Sequence, residues 1–386
     1  MTRPGTMRCT TAVALACALA VCTASPALAQ DQKVPWKDNL YPYLSSQAND
    51  FPVFVIHYDQ NRAADYFDRT TYSGRFSVDA GASTHGSRFA VARFHAPLLW
   101  KDWRLLGTAL ASRSARFGYY GLGNDTDYDE DLANDNQPFY YRARRTRYVG
   151  EVEVSRRITG PLHIAGAGGI EYSVMSDLPE PSIFRTDWGD DDLTDTDARG
   201  RLGLVLDLRD NEFNTSKGLF AQAWVGHGSG GDGYTRISAD LRGFVAVREG
   251  TVLTARIGGS HMDQEAPLNA RFQVPLWETE LSVLGGVTSN RGLPFQRFAG
   301  QGVLFTGAEL RHDLLNLGDL GAFTLFGFAD AGRVFEGEDF RVTTEDLSVG
   351  GGGGLAIRIL RTFIWTFNFG GGPDGFQFST WSGWSW

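Results

Sequence analysis

The 386-residue sequence predicts an all-β protein: a transmembrane antiparallel β-barrel of sixteen strands. Three observations predict it. Apolar residues alternate with charged ones in segment after segment, the pattern of a wall with lipid outside and a polar lumen inside. No apolar run beyond the amino-terminal one reaches the roughly 18 residues that a membrane helix needs. The connections are short at one end of the segments and long at the other, the asymmetry of outer-membrane barrels.

Taken in order, residues 1–29 read as a secretory signal peptide: Arg3 and Arg8 precede an apolar stretch at 11–21, and Ala27-Leu28-Ala29 offers a cleavage site before Gln30. Cys17 and Cys22 raise a lipoprotein signal as a rival, but the residues before each make a poor lipobox. Residues 30–50 read as a short periplasmic segment, and 51–386 as the barrel. Alternating or strand-like segments fall near 51–58, 72–83, 87–97, 102–117, 138–157, 161–174, 199–210, 218–228, 233–248, 251–261, 303–312, 323–332, 346–357, 362–370 and 376–386. In "RLGLVLDLRD" leucines occupy 202, 204, 206 and 208, opposite Arg201, Asp207 and Arg209. In "RISADLRGFVAVR" Arg236, Asp240 and Arg242 share one face, and Arg256 repeats the pattern in the next segment. Turns such as 157–160, 249–250 and 359–362 interleave with loops at 118–137, 175–198, 262–302 and 333–345. Fifteen segments are odd where single-chain bacterial barrels are even. The sixteenth strand is therefore expected within 33–50 or 59–71, giving a first strand in the amino-terminal segment or just after 58. The chain closes on "DGFQFSTWSGWSW", which places Phe376, Phe378, Trp384 and Trp386 on one alternating face as an aromatic assembly signal.

Composition excludes several functions. All three cysteines (Cys9, Cys17, Cys22) lie in the signal, which leaves no disulfide, thiol nucleophile or thiolate metal site. A net charge of −9 argues against nucleic acid as a partner. The seven histidines show no metal-ligand spacing, and no G-x-S-x-G elbow is present. "VGGGGGL" (349–355) lacks the Lys-Ser/Thr of a phosphate loop, and its glycines suit close approach of another backbone instead. The acidic loops at 125–135 and 177–197 read as solvated surface. The expectation is a non-enzyme with no cofactor and no metal.

Several segments together resemble the BamA/TamA outer-membrane assembly superfamily (bacterial surface antigen family). "RFGYYGLGNDT" (116–126) resembles its F-x-G-x-G-N strand end. "LDLRDNEFNTSKG" (206–218) resembles its D-x-R-D-N turn, carried here by Asp207, Arg209, Asp210, Asn211 and Gly218, with Thr215 where proline is usual. "GAELR" (307–311) and "FADAG" (328–332) resemble strands after the long loop, and "NRGL" (290–293) matches that loop's V-R-G-F/Y motif at Arg291 and Gly292. The resemblance runs from about 51 to 386. It implies a long loop folded into the lumen, with Arg291 meeting Glu309 and Asp330 on the two following strands. Strand parity agrees: Asp330 shares a face with Phe328 and Phe326, and Glu309 with Gly307 and Arg311.

Family members that insert or export proteins generally carry POTRA domains before the barrel, and the 21 residues between Gln30 and Phe51 hold none. The expected function is therefore that of a POTRA-less barrel of the bacterial outer membrane. It would assist protein or lipid insertion or translocation through a seam between first and last strands. Its partners would be outer-membrane lipids, with unfolded outer-membrane proteins or a separate periplasmic partner besides. The alternative is a gated outer-membrane channel with a lumen lined by Arg201, Asp207, Arg209, Arg236, Asp240, Arg242 and Arg256.

Overall fold

The computed structural model describes residues 34–47, 49–129, 131–132, 137–179, 181–263, 266–337, 343 and 345–386. The signal-peptide reading (1–29) lies outside them. Eighteen strands follow one another: β1 (Trp36–Gln47), β2 (Asp50–Ala63), β3 (Tyr72–Ser83), β4 (Arg88–Trp100), β5 (Trp103–Gly118), β6 (Arg142–Thr159), β7 (Leu162–Ser176), β8 (Leu193–Asp207), β9 (Gly218–Gly228), β10 (Tyr234–Arg248), β11 (Thr251–Met262), β12 (Gln273–Leu276), β13 (Thr279–Ser282), β14 (Gly302–Asn316), β15 (Gly321–Phe335), β16 (Ser348–Ile359), β17 (Phe363–Gly372) and β18 (Gly375–Ser382). Sixteen of them form one antiparallel sheet in chain order, with β12 and β13 set apart as a two-stranded hairpin between β11 and β14. The sixteenth strand missing from the alternation count is β1.

Alternation explains the wall. Leu202 and Leu204 on β8, Ile237 and Leu241 on β10, and Leu253 and Ile257 on β11 are exposed toward the lipid side, whereas Asp240, Arg236 and Arg256 are buried inside. The strand order runs from β1 to β18 without a ladder joining those two among the described residues. The sheet curls but leaves a seam, and β1 is exposed along nearly all its length.

The loop between β11 and β14 fills the interior. It enters as a 3₁₀ turn (Leu268–Phe272) and descends through the β12–β13 hairpin. Its Phe272, Val274, Leu276, Trp277, Leu284, Leu293 and Phe298 pack against Phe117, Val205, Phe220, Trp224, Phe305 and Val334 of the wall. The main apolar core is therefore inside the lumen, between loop and barrel. A short helix, α1 (Ile183–Trp188), covers the long-loop end. It is capped by the Ser182 side chain, which accepts from the Arg185 amide, and it buries Phe184 against the Tyr119 ring.

Two features differ from the sequence reading. The last strand stops at Ser382 rather than running to 386, because Gly383 adopts φ +102 and the chain turns inward there. The turns at the short-turn end are mostly two to four residues, yet 64–71 and 208–217 are longer. Both lie across the mouth of the barrel.

Candidate functional site

Arg291 lies in the return arm of the lumen loop, 2% exposed. Its Nε donates to Asp330 Oδ2 at 2.7 Å and its Nη2 to Asp330 Oδ1 at 2.9 Å, a two-pronged pair. Its Nη1 donates to Glu309 Oε2. The Arg291 backbone N–H adds a bond to Asp330 Oδ2 at 3.1 Å. The guanidinium lies 3.7 Å from the centre of the Phe328 ring, a stack suited to a flat cation. Glu309 has a second cation, since Arg311 Nε donates to its other oxygen at 2.7 Å. Asp330 has no other side-chain donor among the described residues. The structure thus brings Arg291, Glu309 and Asp330 together, with Gly292 beside them.

Gly292 explains the glycine run on β16. A methyl group on Gly292 would lie 2.6 Å from the Cα of Gly350 and from the carbonyl oxygen of Gly371. One on Gly350 would meet Asn290 Oδ1 at 2.5 Å, and one on Gly370 or Gly372 would overlap the carbonyl oxygens of Arg291 and Gly292. Deeper along β16, Gly352 and Gly354 leave room for the Phe328 and Phe326 rings. The loop backbone therefore lies directly on the wall of β16 and β17. Asn290 fixes it there: its Nδ2 donates to the Ser348 carbonyl at 2.9 Å, and its Oδ1 accepts from the Gly292 amide at 3.1 Å. Leu293, where the motif has an aromatic, is buried in the core.

The turn after β8 is built by its polar side chains. Asp207 pairs with Arg209 at 2.9 Å and with Arg69 at 2.6 Å. Asp210 accepts from the amides of Asn211 and Ser216 at 3.0 Å and from the Ser216 hydroxyl. Partial burial raises the Asp210 carboxyl, and these donors more than offset it, so its pKa lies below the usual value. Asn211 Oδ1 accepts from the amides of Phe213 and Asn214, and Thr215, in place of proline, donates to the Asn211 carbonyl. Gly218 has φ +123, and any side chain there would collide with the Leu208 carbonyl.

The aromatic residues at the end of the chain separate into two pairs. Phe376 and Phe378 point outward, with Phe378 against Phe369 at 5.2 Å. Trp384 and Trp386 do not share their face. Past Gly383 they enter the lumen, where Arg311 stacks on Trp384 at 3.9 Å and the indole N–H donates to Asn214 at 2.9 Å. Ser385 meets Arg291 Nη1 at 3.4 Å. The inward turn at Gly383 overrides an alternation that continues in the sequence.

Three further clusters tie the loop to the wall or neighbouring strands to each other. At the hairpin tip, Arg104 of β5 donates to both oxygens of Glu278 at 2.8 Å and both of Glu212 at 2.9 Å. Higher up, Arg147 joins Glu171 at 2.6 Å and Glu280 of β13 at 3.0 Å. On β10 and β11, Asp240 accepts from both Arg242 and Arg256 at 2.6 Å. Arg236 donates to the Gln273 and Ala270 carbonyls, and Arg256 to that of Thr288. The arginines expected to line an open lumen are thus engaged by the loop or by each other's counter-ions. Asn124 of the strand-end motif pairs with both the N–H and the C=O of Val334. The pairings join residues up to 210 apart, so only carboxylates within apolar runs, as in "LWETEL", hint at them in sequence.

Comparison with known proteins agrees with this architecture. A model of the Omp85 superfamily domain matches residues 73–363. No curated protein sequence matches the chain. Among solved structures, BamA from Haemophilus ducreyi lacking POTRA domains 1–3 superposes with a TM-score of 0.57 at 12% identity, over 99% of this chain and 80% of that one. CdiB from Escherichia coli gives 0.54 at 13% identity, over 91% and 67%. CdiB from Acinetobacter baumannii gives 0.51 at 12%, over 90% of this chain and 65% of that one. With its sixteen-stranded sheet and the family model matched over most of its length, the chain belongs to the Omp85 superfamily, as a β-barrel of the bacterial outer membrane.

Proposed function

We propose that the protein assists insertion of proteins into the outer membrane through the seam between β1 and β18. The observation that carries this is the pair of strand edges without a shared ladder. Unpaired backbone groups on such an edge template an added strand, and each new strand satisfies them. β1 presents Leu40 and Leu44 outward and Tyr41 and Tyr43 inward, so an incoming alternating strand finds one apolar and one polar side. The bilayer beside an incomplete wall is the second participant, and lipid movement along the seam is the minor form of the same activity. In this reading Arg291, with Glu309, Asp330 and Gly292, locks the loop that braces the C-terminal side of the seam, and the 207–218 turn supports it from below. The clients are unfolded outer-membrane proteins, delivered directly or by a separate periplasmic partner.

A gated channel fits less well, since the loop packs a hydrophobic core through the lumen and its arginines are paired. The test is the folding rate of an unfolded barrel client added to vesicles containing the protein, against empty vesicles. Acceleration that vanishes when introduced cysteines tether β1 to β18 supports the reading. Unaccelerated folding accompanied by ion conductance overturns it.

A further inference from the structure

The turn between β2 and β3 reaches well beyond its own strands. Residues 64–71 are folded on themselves, with the Asp68 amide bonded to the Asp65 carbonyl at 3.0 Å and the Asp65 amide to the Asp68 carboxylate at 2.9 Å. One end docks on the opposite wall: Arg69 pairs with Asp207 at 2.6 Å, and its carbonyl accepts from the Glu212 amide at 2.9 Å. The other end docks on the far side of the seam. Tyr66 donates its hydroxyl to Asp319 Oδ2 at 2.7 Å, and Arg361 lies 4.2 Å from the centre of the Tyr66 ring. Asp319 sits in the β14–β15 turn and Arg361 in the β16–β17 turn. These turns are tied by the bond from the Leu360 amide to the Leu320 carbonyl at 3.1 Å, and by Arg358 donating to the Gly318 carbonyl at 3.0 Å. A segment one strand removed from β1 therefore grips a platform one strand removed from β18.

We infer that residues 64–71 are a strap that restrains opening of the seam, with Tyr66 as its catch. The inference rests on the β1–β18 gap being the working site, and it names what regulates that site. The catch suits release: Tyr66 is 58% exposed and the neighbouring Phe67 94%, so a ligand or protein at this end of the barrel reaches it without entering the lumen. An exposed hydrogen bond and a cation–π contact are individually weak, so losing one changes an open-to-closed ratio by roughly fivefold and leaves the fold intact. The remaining contacts, Arg69 with Asp207 and Glu212, hold the other end of the strap in place.

The test uses the absence of cysteine after residue 29. Spin labels at Leu40→Cys on β1 and Phe378→Cys on β18, both outward and exposed, report the distance between the two edges in vesicles. Tyr66→Phe removes the hydrogen bond alone, and Arg361→Ala removes the cation. Each is expected to raise the population at long distance about fivefold. Glu249→Ala, in another short turn, is expected to leave the distribution unchanged, which separates the strap from general loosening. Distributions identical to the parent in both Tyr66→Phe and Arg361→Ala overturn the strap while leaving the seam reading intact. Client folding that is indifferent to a β1–β18 tether overturns the seam reading, and the regulatory role with it.

Discussion

Replacing Arg291 by alanine removes four side-chain hydrogen bonds and a ring stack at once, and their distribution sets the expected cost. Glu309 keeps Arg311 at 2.7 Å, so its charge stays compensated. Asp330 keeps only the backbone N–H of residue 291, 3.1 Å away, and becomes a buried carboxylate without a cation. Breaking a buried pair from one side costs about 3–5 kcal/mol, and here most of it falls on Asp330. The Phe328 ring loses its stacked guanidinium as well, worth about 1–2 kcal/mol in a desolvated site. Adding Asp330→Asn to Arg291→Ala should therefore recover a substantial part of the loss, whereas adding Glu309→Gln should recover little. Lysine at 291 should behave more like alanine than like arginine, because one ammonium cannot make the forked bond to Asp330 while reaching Glu309. The assay is urea unfolding of the folded barrel in detergent, read by the gel-mobility difference between folded and unfolded forms. Limited proteolysis of the 263–301 loop provides a second readout. Equal stability of Arg291→Ala and the parent, or equal rescue by the two second substitutions, would refute the assignment of the cost to Asp330.

Other outcomes follow from the same geometry. Gly370→Ala should destabilise the loop's seat by about 1–3 kcal/mol through overlap with the Arg291 carbonyl, while Gly371→Ala, with open space around it, should be neutral; matched unfolding curves check the contrast. Arg104→Ala leaves Glu278 and Glu212 facing each other without their shared cation, so the hairpin tip should become cleavable by added protease and the barrel less stable by about 3–5 kcal/mol. The pKa of Asp210 is lowered in the fold, so its contribution is present above the unfolded value near 4 and is lost as pH falls through the lower folded value. The protection factors of the Ser216 and Lys217 amides, taken against intrinsic exchange at each pH, should thus stay high at pH 5 and fall in stronger acid, and Asp210→Asn should flatten that fall.

Much of the wall was legible because a strand with lipid on one side and a polar interior on the other must alternate, as Leu202 to Leu208 do. β1 escaped the same reading for a physical reason. "WKDNLYPYLSSQ" lies at an open edge, carries Pro42, and is exposed on both faces, so nothing forces a period of two upon it. The carboxyl end misled in the opposite way: its aromatic alternation continues through Trp386, yet one glycine in a left-handed conformation sends the last residues inward. β12 and β13 are four residues each, too short for periodicity to register. Within the site, Arg291, Glu309 and Asp330 could be named from a motif and from parity. The Arg104 cluster could not, because its three members come from a strand start, a turn and a hairpin tip that only the folded chain assembles.

The glycine stretch on β16 and β17 has a consequence for the loop's absence as much as for its presence. Where Gly350, Gly370 and Gly372 meet residues 290–292, the barrel is lined by peptide groups and hydrogens, with the visiting backbone serving as its inner surface. Withdrawal of those three residues would uncover a channel of main chain one polypeptide wide, beside the strand next to the seam. Such a groove discriminates by thickness rather than by side-chain chemistry. It would admit any extended segment with small residues at the point of contact, whatever its sequence elsewhere.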